Sequence, residues 1–119
     1  MSATDTSTAL SAAARDRLAS QLRQLVGRPI AELRITRVRW DDGLQWVVLP
    51  LAAVVIRGVA RGHREIPLAE GTLHRDIAVL VRGAFPHADW SRAQDYDVVT
   101  GVLREHIVRI PAALRGDVL

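Results

Sequence analysis

The 119-residue chain contains no cysteine, no lysine and no asparagine. The first absence excludes disulfides, thiolate metal ligands and a thiol nucleophile. Without lysine there is no Schiff-base amine and no phosphate-loop ammonium, and without asparagine a kinase-type catalytic loop lacks its second metal ligand. Aromatic residues are few: one Phe, one Tyr and three Trp. All sixteen basic residues are arginine, a bias expected of a GC-rich bacterial genome. The same bias explains the high isoelectric point, because arginine holds its proton above pH 12. A net charge of +3 is therefore no nucleic-acid signature in itself.

Long hydrophobic runs are missing too. The longest apolar stretch, residues 44–56, is too short to span a bilayer and is broken by Pro50. The opening MSATDTSTALSAAARDR lacks the charged and apolar regions of a secretory signal. These features predict one soluble, cytoplasmic domain over 1–119, with the small polar residues 1–7 disordered and no membrane contact.

What is present is uneven. Residues 33–64 carry six Arg against Asp41 and Asp42, whereas residues 65–119 carry six Arg against eight acids. Leu10, Ala14, Leu18, Leu22, Leu25 and Val26 recur at helical spacing, and Gly27 and Pro29 supply the stop, so a helix is expected there. The stretch AELRITRVRW-DDG-LQWVVLP reads as a β-hairpin turning at Asp-Asp-Gly. Leu33 and Ile35 share one parity while Val38 and Trp40 share the other. A bulge near Thr36–Arg37 would restore one apolar face and gather Arg34, Arg37 and Arg39 on the opposite one.

Residues 51–62 read as strand from the Val-Val-Ile run, with Pro50 and Gly62 as competing helix-end signals. DIAVLVR at 76–82 reads as a central strand, apolar on both faces. Ser91 to Gln94 matches a capping box, and Tyr96, Val99, Leu103, Ile107 and Ile110 form a stripe limited by Pro111, which predicts a second helix. The expected fold class is α+β: an antiparallel sheet of three to four strands with N- and C-terminal helices packed on one face.

His74-Arg75-Asp76 spells the kinase catalytic-loop tripeptide, but Val81 stands five residues after the Asp, where that loop needs Asn. The tripeptide is therefore read as the solvated entrance to a strand. Neither the four histidines nor any glycine pattern matches a metal, phosphate or nucleophile-elbow motif, so no cofactor and no metal are expected. His87 and Asp89 share a loop and could pair as an oriented base in a small enzyme or ligand-binding domain. Arg34, Arg37 and Arg39 with Trp46 place cations beside a planar ring, the pattern of a nucleic-acid-binding module. The aliphatic surplus at 44–60 and the opposed charge of the basic middle and the acidic C-terminal half point to a third function, the leading one. It is a non-catalytic assembly or adaptor protein whose partner is another protein or its own copy.

Overall fold

The computed structural model describes residues 8–41, 43–68 and 71–107. Eight elements follow in order: β1 (Thr8–Ala9), α1 (Ala12–Val26), β2 (Glu32–Trp40), β3 (Gly43–Ile56), β4 (Val59–Glu65), α2 (Thr72–Ala84), β5 (Gln94–Asp97) and β6 (Val102–Glu105). The strands form one antiparallel sheet in the order β1-β6-β5-β2-β3-β4.

Helix α1 forms where the sequence predicts it. The Ser11 hydroxyl accepts the Ala14 N–H at its start, and Gly27, in the left-handed region at φ 85°, returns its N–H to the Arg23 carbonyl. The β2–β3 hairpin also forms, with Trp40 opposite Gly43 across the turn. Residues 51–62 are strand with a turn inside. Arg57 and Gly58 both take positive φ, 52° and 77°, which suits the two-residue turn that joins Ile56 to Val59.

The fold class is corrected in strand number and in helix placement. The sheet has six strands, not three to four, and the helices are α1 and α2. Residues 76–82, expected as a central strand, lie inside α2, where Ile77, Ala78 and Val81 are buried. The helix expected from Ser91 onward is replaced by β5, a turn and β6. Asp97 makes that turn: its carboxylate accepts the Val99 and Thr100 N–H groups, and its carbonyl accepts the Gly101 N–H. Gly101 takes φ 74°, which an interior helix position does not allow. The final part of that expected helix, from residue 108, and the expected disorder of 1–7 lie outside the described residues.

Register decides which side chains meet. Leu33 faces Pro50 and Tyr96, Ile35 faces Val48 and Gln94, and Leu103 faces Tyr96. All six of these positions other than Ile35's neighbour Gln94 are apolar or aromatic, and all share the sheet face that is closed by Leu18 and Leu22 of α1 and Ile77, Ala78 and Val81 of α2. Each fully buried Leu or Ile contributes about 1.5–3 kcal/mol through removal from water. Pro50 is tolerated inside a paired strand because alternate peptide groups of β3 point away from β2. Its carbonyl accepts the Ile66 N–H on that far side, where its missing N–H breaks no bond to β2.

Candidate functional site

The hairpin arginines do not form one cluster. The β2–β3 register runs without a shift from Glu32–Leu51 to Trp40–Gly43, so the bulge expected near Thr36–Arg37 is absent. Strand alternation then places Arg34 on one face and Arg37 and Arg39 on the other. Val38 points away from the core side and is half-buried there. Arg34 Nε donates to Asp95 Oδ1 at 3.0 Å, and His106 Nδ1 lies 2.7 Å from Asp95 Oδ2. Asp95 thus joins β2, β5 and the residue following β6 on the face turned away from α1 and α2.

Arg37 sits across from Trp46, and Arg39 across from Leu44. Trp46 meets Trp90 edge-on, with ring centres 6.2 Å apart, and the Arg82 guanidinium lies 4.5 Å from the Trp46 ring centre. Trp90 in turn donates its indole N–H to the Phe85 carbonyl at 2.9 Å. The β2–β3 hairpin, α2 and the loop after α2 meet at this cation–aromatic cluster. Arg82 was not among the residues singled out from the sequence; reading 76–82 as strand hid it.

His87 and Asp89 are both exposed, and the carboxylate of Asp89 is engaged elsewhere. It accepts the Ser91 hydroxyl and the Ser91 N–H, and Arg92 Nε lies 3.5 Å away. The Ser91 hydroxyl first, then its N–H, hold the Asp89 carboxyl below its ordinary value, with smaller help from Arg92 and Arg37. Arg92 also donates to Glu105 at 2.9 Å, and Gln94 Nε2 donates to the Asp89 carbonyl at 2.8 Å. These bonds brace the loop on β6. Ser91, read as a helix cap, caps a loop carboxylate instead.

His74 occupies the first turn of α2, not the entrance to a strand. Its Nδ1 accepts the Val48 N–H at 2.9 Å, so that nitrogen carries no proton and the ring docks α2 onto the edge of β3. The tripeptide is structural through its histidine. Beyond this point β3 is covered unevenly. β4 pairs with it only from Leu51 to Ile56, Ile66 satisfies Pro50, and His74 satisfies Val48. Residues 44–47 have no strand neighbour on that side among the described residues. A cleft of about 550 Å³ lies alongside, between Leu44–Trp46 and the Gly71–Arg82 face of α2.

At its other end β3 runs into a ribbon with β4. Every residue of β4 is exposed, and the large apolar residues at the ribbon tip stay uncovered: Val55 at 60 %, Ile56 at 53 % and Val59 at 50 %. They lie within the 44–60 segment whose aliphatic surplus the sequence displays. Near Val54 the ladder slips, with Ala53 opposite His63 but Val55 opposite Ala60, and Gly62 at φ 96° takes up the extra residue.

Among the described residues, no group of three or more His, Asp or Glu side chains is placed to hold a metal ion, and no helix is long and apolar enough to cross a membrane. No family model, curated protein or solved structure matches the chain.

Proposed function

We propose that the chain is a non-catalytic assembly domain that pairs with a second copy of itself through the β3–β4 ribbon. The observation that carries this reading is the ribbon itself: its seven-residue strand β4 is exposed along its whole length, and its tip carries Val55, Ile56 and Val59. A two-stranded ribbon without a core beneath it is marginal in water, and an unprotected edge strand is a template for another strand. β4 contains no proline to interrupt that edge.

Charge favours its own copy as the partner. The Glu65 peptide group faces the free edge, because its partner Leu51 turns its carbonyl to the Ala31 N–H on the β2 side. An antiparallel pairing of two β4 strands brings Glu65 of each copy alongside the basic Arg61–Arg64 stretch of the other. The polar groups elsewhere support a binding role over catalysis, since Asp95, Asp89 and His74 are engaged in bracing the fold. The competing nucleic-acid reading keeps Arg37 and Arg39 but loses Arg34, which is paired with Asp95 on the opposite face.

Light scattering after size-exclusion chromatography tests the assembly directly. The expected species is a dimer that Val55→Asp converts to monomer. Arg61→Glu and Glu65→Arg should each weaken it, and the double exchange should restore it. A chain that stays monomeric into roughly the hundred-micromolar range, weaker than specific association requires, removes the reading.

A further inference from the structure

We propose that the open edge of β3 at Leu44 and Trp46, with the groove beside it, takes an extended acidic segment of another protein as an added strand. This site is separate from the ribbon at the far end of β3, so it stands or falls independently of self-association.

Backbone direction comes first. The Val48 N–H and the Pro50 C=O both point away from β2, to His74 and Ile66. Alternation along the strand turns the Leu44 and Trp46 peptide groups the same way, toward an edge with no neighbouring strand among the described residues. Two successive outward-facing residues are the template for strand addition, in which main-chain bonds supply affinity and flanking side chains select the sequence.

The flanking groove suits such a strand. Leu44 and Val79 are 51 % and 55 % exposed on its two walls and offer apolar seats for alternate side chains. Its charge is one-sided. Arg75 and Arg82 line it, and Arg37 and Arg39 share the Trp46 face of β2. None of these four forms an ion pair among the described residues. The groove also reaches the start of α2, whose first turn has neither an acidic residue nor a side-chain cap. An acidic side chain there would meet arginines and the positive end of the helix together.

The same features select a peptide over a nucleic acid. Base stacking needs a free aromatic face, whereas Trp46 already carries Arg82 on one face and meets Trp90 edge-on. Unpaired strand amides recognise a peptide backbone and no nucleobase pattern.

The test titrates the full isotope-labelled chain with a peptide of about ten residues alternating Glu and Val, long enough to lie along a strand of ordinary length. Amide hydrogen exchange provides the readout. Binding should slow exchange at Leu44 and Trp46. A peptide of equal charge, N-methylated at alternate amides, should not bind. Arg75→Glu, an exposed change away from the core, should weaken binding by about fivefold or more. Val79→Asp, which leaves every arginine in place, should weaken it as well. Equal binding of the N-methylated peptide, protection confined to β4, or tighter binding of single-stranded oligothymidylate of the same charge would each overturn the proposal.

Discussion

Tyr96 gives the sharpest test of the core. Its side chain is 0 % exposed, packed edge-on against Phe85 at 5.5 Å, and its hydroxyl has no hydrogen-bond partner among the described residues. A buried hydroxyl without a partner costs about 1–3 kcal/mol in lost hydration. Tyr96→Phe removes that cost and keeps the ring, so the variant should be more stable by about 1 kcal/mol, or roughly 4 °C in Tm for a chain of this size. Alkaline pH supplies a second signature. Burial first, and then the nearby Asp97 carboxylate, push the Tyr96 hydroxyl up to about 12 from its ordinary 10.0. Below pH 10 the phenol is protonated in both folded and unfolded chains, so pH has no effect through this group. Above 10 the unfolded chain ionises first, and stability falls as pH rises toward 12. The full loss is about 2–3 kcal/mol for a two-unit shift. Urea titrations followed by tryptophan fluorescence at pH 8, 10 and 11.5 should show this decline in the natural chain and its absence in the Phe variant. If Tyr96→Phe is destabilised by more than about 1 kcal/mol at pH 8, the hydroxyl has a partner, and the account of this core is wrong.

His74→Ala strips the acceptor from the Val48 N–H and should cost about 1–3 kcal/mol in urea unfolding. His74→Gln, which restores an acceptor oxygen, should recover part of that loss; a wild-type midpoint for the Ala variant would mean α2 is not docked by this bond. Gly101→Ala asks an L-residue to hold φ 74° and brings its new Cβ to 3.0 Å from the Arg15 side chain. A loss of about 1–2 kcal/mol is expected by thermal melting, and no loss would contradict the β5–β6 turn.

The elements legible in the sequence are those whose signals agree at every level. α1 has a cap, an apolar stripe and a terminal glycine in register, and the β2–β3 hairpin has its turn between two β-rich flanks. Residues 72–84 carry conflicting signals. Ile77, Val79 and Val81 favour strand by propensity, while Leu73, Ile77, Leu80 and Ala84 keep a helical period. Packing decided for the period, burying Ile77, Ala78 and Val81 beneath α1 and over β3. Residues 94–105 show the reverse. Tyr96, Val99 and Leu103 fit a helical stripe, yet Tyr96 and Val98 are buried while Val99 is exposed, an alternation of two. Gly101 was the warning, because glycine inside a helix costs about 1 kcal/mol. The partner that settles the question, β2, lies 61 residues away at the Arg34–Asp95 bond, beyond the reach of any local pattern.

The proposed binding surfaces follow the same logic. Exposed aliphatics at 55–59 could be suspected from composition, because they fall within the aliphatic-rich 44–60 segment. The basic groove could not. It depends on α2 being a helix, which brings Arg75 and Arg82 onto the side that faces β3, and on His74 closing the strand edge only as far as Val48. It also depends on an unbulged β2, since a slip of one residue would turn Arg37 and Arg39 to the other face. The charge that defines the groove is thus a consequence of register: the same arginines, shifted by one position, would be an ordinary solvated face beside Arg34.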